Sequence, residues 1–524
     1  MSNLMTGREN MIKNFQSLIS NLQSRWGWVM ISGLAIIVLY FLLRLINLTL
    51  LPVFADEAIY IRWSQVMRAE STLRFLPLSD GKQPLFMWLL IPILSFFKDP
   101  LFAGRFLSVL CGLGTLLGIF GLSFYLFKSR RIALMASFLY AVVPFAVFFD
   151  RLALVDSLLA MFAVWVLFLG VLLIKYQRID LAIITGLVLG GAFLTKSPAI
   201  FFALLLPSTA ILLPKKKKKD FLVLLIKLVS LWFIVYAFAF GVYNILRLGP
   251  NFHMISLRNK DYVFSLKEVL SHPLDPFKPH IGQVWEWFWF FVSLPIIFTF
   301  IAGLVVGLRR FAKQTILLLI WFVVPLVVQM SLAKVFTARY IFFTIPFFLI
   351  VAAFGLNWLM VKIKTARYLL IGTLLVVILL PVFSFNYHLL TNPQKLSLPG
   401  GERSGYLELW TSGYGINEVR DYIKKLSKEK QIIVGTEGYF GTLPDGLQIY
   451  FDKDPKVTIL GVGLALNKIP EQLVDSASKG NPTYLVVNKS RMGAKDDPGL
   501  KLILEIPKAI GEKGQDSLLF YQVK

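Results

Sequence analysis

Cysteine, histidine and charged residues are all scarce in this chain of 524 residues. Cys111 is its one cysteine, so an intramolecular disulfide and a cysteine-based zinc site are both excluded. Charged residues make up 16% of the chain, against about 25% in soluble proteins. Apolar runs of about 20 residues recur along it, and with the low charge they indicate a polytopic membrane protein rather than a soluble enzyme. The weak alternation of short strands is absent, which excludes an outer-membrane β-barrel.

The positive charge is concentrated in the first three quarters of the chain. Residues 389–524 carry 18 basic and 16 acidic side chains, whereas residues 1–388 carry 36 basic and 14 acidic ones. The excess lies in short loops between apolar runs, where basic residues mark the cytoplasmic side of a membrane. A nucleic-acid-binding protein would collect them on a soluble face instead. We therefore expect an integral plasma-membrane protein, in contact with membrane lipids and without a nucleic-acid partner.

Eleven apolar segments are predicted to span the membrane. They cover residues 29–50, 102–127, 132–149, 153–174, 180–195, 198–213, 221–246, 285–308, 315–332, 340–361 and 368–388. Residues 85–97 are apolar too, but as a helix they reach only about 20 Å, so we predict that they lie on the outer membrane surface. The basic loops then share the side of the N-terminus, which is predicted to be cytoplasmic.

The sequence predicts two domains. Residues 1–388 are an all-α polytopic membrane domain whose first outer loop covers residues 51–101. Residues 389–524 are long enough for a core of their own. Helical periodicity at 416–426 and 470–478, with strand-like runs at 431–434 and 484–487, predicts a C-terminal extracytoplasmic α/β domain there.

Three acidic residues at the outer ends of predicted spans are candidates for catalysis. Asp56 and Glu57 follow the first span in an apolar setting, where a carboxylate can act as general base or metal ligand, although acids also favour the first turn of any helix. Asp156 lies several residues into an apolar run. An ionised carboxylate there costs roughly 2.5 to 3.5 kcal/mol without a partner, which favours a polar cavity.

Basic residues on the same outer side are candidates for substrate binding. Lys82, Arg105, Lys196 and Arg339 could each extend to the membrane interface, yet together they oppose the positive-inside rule. A phosphate at the outer leaflet would explain them. The aromatic candidates for substrate contact are Tyr340, next to the last of these cations, and Tyr60, one turn after Asp56.

Trp285, Trp287 and Trp289 at the start of the eighth predicted span indicate an interfacial aromatic belt. The glycine-rich stretch at residues 434–441 has neither a dinucleotide nor a Walker spacing, so it predicts no nucleotide site.

Several short motifs together resemble one family. They are the Asp-Glu pair, Lys82-Gln-Pro-Leu-Phe, Gly104-Arg105, Arg151-Leu-Ala-Leu-Val-Asp156, Phe193-Leu-Thr-Lys-Ser-Pro198 and Ala338-Arg-Tyr followed by Pro346. This set resembles the GT-C membrane glycosyltransferases, and among them the protein O-mannosyltransferases and the aminoarabinose transferases of lipid A. The resemblance covers most of residues 28–388.

The resemblance implies transfer of a sugar from a polyprenyl-phosphate donor to a protein, lipid or glycan acceptor at the outer face, usually with inversion. It implies a catalytic or acceptor-orienting role for Asp56 with Glu57 beside it, and a second outer acid at Asp156. Lys82 and Arg105 match positions associated with the donor phosphate. Lys196, Arg339 and Tyr340 match substrate-binding positions less closely. The Lys82-Gln83-Pro84 stretch departs from the relatives, which often carry a second proline, or an acid before the lysine, that can take part in metal binding. The resemblance therefore does not settle whether a divalent metal is a cofactor.

Two other classes of function remain possible from the sequence. A polytopic transporter or lipid flippase would have many spans too, but its charges usually lie at the membrane midplane on repeated, broken helices. A cell-surface binding or assembly protein could retain the same fold without catalysis.

Overall fold

The computed structural model describes residues 27–213, 218–272, 274–362, 367–464, 466–493, 497–512 and 514–524. Part of the lysine run at 215–219 and of the basic loop at 362–367 therefore lies outside the described residues. Most of the described chain is helical, with a small sheet near its C-terminal end.

The first half of the chain contains ten helices within its described residues. They are α1 (Gly27–Leu45), α2 (Ala55–Ala69), α3 (Leu85–Ile93), α4 (Pro100–Phe127), α5 (Arg130–Val142), α6 (Pro144–Asp150), α7 (Val155–Tyr176), α8 (Ile179–Phe193), α9 (Ile200–Leu205) and α10 (Lys218–Tyr243). The surface segment predicted at 85–97 coincides with the short helix α3.

Eight further helices lead to the C-terminal part. They are α11 (Met254–Tyr262), α12 (Leu266–Ser271), α13 (Phe277–Phe291), α14 (Leu294–Arg310), α15 (Ala312–Leu332), α16 (Ala338–Ile341), α17 (Ile345–Lys362) and α18 (Arg367–Thr391). Among the residues that the structure describes, six apolar stretches are long enough to cross a membrane, or up to eight if each of two bent pairs forms one span. Each of the eleven predicted spans coincides with apolar helical structure, while the number of crossings stays a prediction.

The predicted span at 285–308 is wrong as a single helix. Helices α13 and α14 meet there at an angle of 109°. Ser293, between them, has φ of 76°, and Pro295 follows in the first turn of α14. Proline cannot donate a backbone hydrogen bond and restricts the residue before it, so one helix ends and a new one begins.

Helices α14 and α17 pack closely through two glycines. A Cβ atom at Gly303 would overlap the carbonyl of Val351, and one at Gly355 would overlap the carbonyl of Thr299. Small residues of this kind let two membrane helices approach with their backbones nearly in contact. The α16–α17 stretch is the most deeply buried of the long apolar segments, and it carries Arg339 near its N-terminal end.

The C-terminal part forms a five-stranded mixed sheet. Its helices and strands are α19 (Gly400–Arg403), α20 (Ile416–Leu426), β1 (Ile432–Thr436), α21 (Asp445–Gln448), β2 (Val457–Gly461), α22 (Glu471–Ser478), β3 (Thr483–Asn488), β4 (Leu500–Pro507) and β5 (Ser517–Val523). The strand order is β2-β1-β3-β5-β4, with β2, β1 and β3 parallel and the last two pairs antiparallel. The predicted helices at 416–426 and 470–478 and both predicted strands are confirmed; β2, β4 and β5 were not predicted.

The C-terminal part is fastened to helix α2. The amide of Ala55 donates to the carbonyl of Thr411 at 3.1 Å, and Phe54 forms a β-bridge with Ser412. Further along the helix, Arg62 forms an ion pair with Asp452 at 2.6 Å. The start of α2, where the two acids lie, is therefore held between the helical part and the sheet.

Candidate active site

Asp56 lies in the first turn of α2 and binds two cations from distant parts of the chain. Its Oδ2 is 2.6 Å from Nη1 of Arg339, and its Oδ1 is 3.5 Å from Nζ of Lys82. All three side chains keep some exposure, between 14% and 23%. The structure thus brings together three residues that are 26 to 283 positions apart in sequence.

Asp156 and Lys196 form a second ion pair beside the first. The distance between Asp156 Oδ1 and Lys196 Nζ is 2.7 Å, and Asp156 is 3% exposed whereas Lys196 is 21% exposed. Within the described chain, the other oxygen of Asp156 is buried without a hydrogen-bond partner. A buried carboxylate oxygen without a partner is costly, which indicates that this oxygen accepts a hydrogen bond from a group outside the protein.

Two tyrosines join these pairs into one site. The Tyr340 ring lies 4.3 Å from the Lys196 ammonium and 5.5 Å from the Arg339 guanidinium, and the Tyr60 ring lies 5.3 Å from the Lys82 ammonium. Contacts of cations with ring faces at these distances are attractive. We name the five charged residues Asp56, Asp156, Lys82, Lys196 and Arg339 the outer cluster; Tyr60 and Tyr340 line it.

The outer cluster carries three cations and two carboxylates, and Lys82 also faces Asp80 at 3.7 Å, a carboxylate that is itself paired with Arg258 at 2.8 Å. Burial raises the pKa of Asp56, but Lys82 and Arg339 outweigh it and hold that pKa well below the usual range. Burial lowers the pKa of Lys82, and the carboxylate of Asp56 more than offsets this, so the net shift is upward. In Lys196 burial prevails and lowers the pKa. An anion that entered would therefore meet a site whose cations are only partly neutralised.

Glu57 and Arg105 lie behind the outer cluster. Both side chains are fully buried and pair through two parallel hydrogen bonds of 2.8 Å, from Nε to Oε1 and from Nη2 to Oε2. Glu57 also accepts from the amides of Ala153 and Phe54, and Arg105 donates to three carbonyls, those of Leu48, Leu51 and Pro52. This geometry does not support the predicted catalytic role of Glu57 or the predicted phosphate contact of Arg105, because both groups are enclosed and their hydrogen bonds are already made. We name them the inner ion pair.

Glu402 supports the outer cluster and was not predicted. It accepts from the amide of Ala338 at 2.8 Å and from Nε1 of Trp287 at 3.1 Å, and it is 6% exposed. Ala338 directly precedes Arg339, so this carboxylate fixes the backbone that presents the guanidinium. No sequence motif marks Glu402, since its partners lie 64 and 115 positions away.

The predicted aromatic belt is partly wrong. Trp285 and Trp289 are 58% and 50% exposed, which fits an interfacial position, but Trp287 is 3% exposed and hydrogen-bonded to Glu402. Alternate residues of a helix point to different faces, so three tryptophans at this spacing cannot all face the membrane.

The described residues do not fit a divalent metal. In the described ranges no group of three histidine, cysteine or acidic side chains could hold an ion. Asp56 and Asp156 are each bound to cationic side chains instead. Oxygen-rich ligand sets of the kind that Mg²⁺ or Ca²⁺ requires are not formed by these two carboxylates.

Known proteins resemble the chain in both sequence and fold. Residues 81–240 match the family model of dolichyl-phosphate-mannose-protein mannosyltransferases, a range that contains Lys82, Arg105, Asp156 and Lys196. No curated protein sequence is a significant match to the chain.

Solved structures extend the likeness to nearly the whole chain. ArnT from Cupriavidus metallidurans in the apo state is 15% identical with a TM-score of 0.55, and the match covers 95% of this chain and 98% of ArnT. ArnT bound to undecaprenyl phosphate matches with a TM-score of 0.53, at 16% identity, over 94% and 98% of the two chains. The oligosaccharyltransferase AglB from Archaeoglobus fulgidus, in complex with an inhibitory peptide and a dolichol-phosphate, is 11% identical with a TM-score of 0.53, over 89% of this chain and 70% of AglB.

These matches confirm the resemblance predicted from the sequence motifs. None of them supports the alternative of a transporter or lipid flippase. The apolar helices and the fold together indicate a multi-pass membrane protein. Residues 81–240 match the dolichyl-phosphate-mannose-protein mannosyltransferase family model, and nearly the whole chain shares the fold of ArnT and AglB, in agreement with the resemblance to the GT-C membrane glycosyltransferases.

Proposed function

We propose that this protein transfers a sugar from a polyprenyl-phosphate donor to an acceptor hydroxyl at the outer face of the membrane. The observation that carries the proposal is the outer cluster, in which three cations pair with two carboxylates. The basic loops predict that this side of the membrane is the outer one. The undecaprenyl phosphate bound by ArnT and the dolichol-phosphate bound by AglB support a lipid-phosphate donor. The N-terminus then lies in the cytoplasm and residues 389–524 outside it, as the basic loops indicate.

The donor phosphate competes with Asp56 for its cations. In the free protein Lys82 and Arg339 both face this carboxylate, which stays ionised and is a weak base. An entering phosphate takes over part of their charge, because Arg and Lys bind phosphate oxygens strongly. The pKa of Asp56 then rises towards the value that a general base needs.

The transfer step uses only protein groups and the two substrates. The acceptor oxygen attacks the anomeric carbon of the sugar while the bond from that carbon to the phosphate oxygen breaks. Asp56 takes the proton of the acceptor hydroxyl, and the leaving polyprenyl phosphate keeps the bonding electrons. Lys82, Lys196 and Arg339 stabilise the charge that develops on the phosphate, which is where fixed cations are most effective.

A single displacement of this kind inverts the configuration at the anomeric carbon. We therefore propose an inverting hexosyl- or pentosyltransferase whose acceptor is a protein, a lipid or an envelope glycan. Glu57 and Arg105 act as positioning residues, because their hydrogen bonds fix the turn that ends at Asp56.

The proposal is tested by the release of free polyprenyl phosphate from purified protein in lipid. A panel of polyprenyl-phosphate sugars is supplied with cell-envelope extract as acceptor, and wild type is compared with Asp56→Asn. We expect release by wild type with at least one donor and a fall of roughly 10²- to 10⁴-fold in the variant, the usual contribution of a general base. Equal release by both proteins would remove Asp56 from the mechanism.

A binding or assembly role is the other outcome of this experiment. If no donor is consumed by wild type, and cellular function survives Asp56→Asn but not loss of residues 389–524, the protein is a non-catalytic member of the fold.

A further inference from the structure

The carboxyl ends of the parallel strands in the C-terminal sheet form an edge with no assigned role. The chain leaves β1 towards β2 on one side, and it leaves β3 towards β5 and β4 on the other. Neighbouring parallel strands whose continuations diverge leave a crevice at their carboxyl ends, where open α/β sheets bind ligands. The loops after β1 and β3 lie at this end of the sheet.

Three aromatic rings are exposed at this edge on a firmly held backbone. Tyr439 and Phe440 are 70% and 65% exposed, and Trp410 is 36% exposed. The loop that carries the first two is fixed at both ends, by a bond of 2.7 Å from the amide of Gly438 to the carbonyl of Gly463 and one of 2.6 Å from the amide of Gly441 to Asp445. Gly438 and Gly441 have φ of 77° and 113°, which other residues adopt only at a cost. These rings are therefore presented to solvent by a rigid loop.

A cation accompanies the rings. The guanidinium of Arg491 lies 3.8 Å from the centre of the Trp410 ring, and its Nη1 lies 3.9 Å from Oε1 of Glu437. We name Trp410, Tyr439, Phe440 and Arg491 the edge patch.

The edge patch lies next to the start of helix α2. Thr411, which follows Trp410, accepts from the amide of Ala55, the residue before Asp56. The same carbonyl accepts from Oγ1 of Thr442, just after the aromatic loop. Two peptide units and one hydrogen bond separate Trp410 from Asp56, a path of roughly 10 to 13 Å. That is the reach of a few sugar units.

We propose that the edge patch binds a saccharide portion of the acceptor. A sugar ring has an apolar face that stacks on aromatic rings and a rim of hydroxyls that satisfies polar groups. The patch offers exposed rings together with a guanidinium that can donate to such hydroxyls. Aromatic residues combine a large rigid contact area with a polar edge at low entropic cost, which suits such a ligand. The role as acceptor subsite rests on the proposed transfer reaction, whereas the binding of saccharide does not.

The test is saturation-transfer NMR on the full chain in detergent micelles. The probes are tetrasaccharides of mannose, glucose, N-acetylglucosamine and arabinose, with a serine- and threonine-rich peptide as the competing class. The variant is the triple substitution Trp410→Ala, Tyr439→Ala and Phe440→Ala, which removes exposed rings only. The matched control is Trp285→Ala with Trp289→Ala, two exposed rings far along the chain from the sheet.

We expect one saccharide to bind wild type and the tryptophan control equally, and to bind the triple variant at least tenfold more weakly. Binding that the triple variant retains, no saccharide binding to wild type, or binding of the peptide alone would each overturn the proposal. A second arm measures the release of polyprenyl phosphate from the donor panel by wild type. If wild type binds saccharide but consumes no donor, the proposed function fails while the edge patch stands as a saccharide site.

Discussion

The inner ion pair and the outer cluster begin at adjacent residues, Glu57 and Asp56, yet they are built in opposite ways. Glu57 and Arg105 are fully buried, and both carboxylate oxygens are bound by guanidinium and backbone donors. The outer cluster is partly exposed, its cations outnumber its carboxylates, and one oxygen of Asp156 has no partner in the described chain. The inner ion pair, whose hydrogen bonds are all made, fixes the local backbone. The outer cluster is incompletely paired and keeps charge that a ligand can bind. Two adjacent acidic residues of one motif can therefore have different roles, one structural and one chemical.

The largest expected effect is on the inner pair, and it is a loss of stability. Glu57→Gln leaves the Arg105 guanidinium buried without its counter-charge, and breaking a buried pair from one side costs roughly 3–5 kcal/mol. The free energy of unfolding in mixed micelles measures this loss. Asp56→Asn is the matched control, because it makes the same change at the adjacent carboxylate, which keeps 18% exposure. Equal stability of Glu57→Gln and wild type would contradict a structural role for the pair.

Lys82→Ala tests the outer cluster, the other member of the comparison. We expect a KM for the donor that rises about 10- to 100-fold, the equivalent of one charged hydrogen bond of roughly 1.5–3 kcal/mol. Thermal unfolding should hardly change, since Lys82 is 23% exposed. Lys98→Ala, an exposed lysine on the same predicted outer loop, is the control. A donor KM that stays at the wild-type value would end the assignment of Lys82 to the phosphate.

Glu402→Gln tests whether the C-terminal part positions Arg339. Glutamine has one acceptor oxygen, so either Ala338 or Trp287 loses its bond. We expect kcat/KM to fall about tenfold, mostly through the donor KM, because the guanidinium is displaced rather than removed. Glu286→Gln is the matched control, since Glu286 accepts from Gly400 near by and does not touch the Arg339 segment. A fall of the same size in both variants would indicate a general disturbance of this region.

The smallest expected effect is a difference between two pH profiles. The pKa of Asp56 is held well below its usual range in the free protein, so Asp56 stays ionised as the pH falls through 4. The profile of kcat/KM, which reports the free enzyme, should therefore show no loss from this group near that pH. The profile of kcat reports the donor complex, in which the phosphate shares the cations, and its acid limb should lie at higher pH. Identical acid limbs would contradict competition between Asp56 and the phosphate.

Much of the site could be predicted from the sequence because each member breaks a local rule. Asp156 in an apolar run is costly unless it has a partner, and so is Lys82 on the predicted outer side, where basic residues are disfavoured. The structure pairs Asp156 with Lys196 and Lys82 with Asp56. The different roles of Asp56 and Glu57 could not be predicted, because they depend on which side of the start of α2 each side chain faces. Glu402 was missed because its partners are remote in sequence.

The fold was predicted to a similar extent. Apolar length located the helices, and periodicity located α20, β1, α22 and β3. Strands β4 and β5 pair with each other and with β3, so their identity depends on remote neighbours rather than on local pattern. The bend at Ser293 depends on a backbone conformation that composition does not reveal.

The affinity of Asp56→Asn for polyprenyl phosphate tests the central claim most directly. If the outer cluster is a phosphate site in which Asp56 occupies part of the cationic charge, this variant releases Lys82 and Arg339 for the ligand. The protein in lipid should then bind polyprenyl phosphate more tightly than wild type while its transfer activity is lost. Binding that weakens in parallel with turnover would contradict the account, because Asp56 would then help to hold the phosphate rather than compete with it.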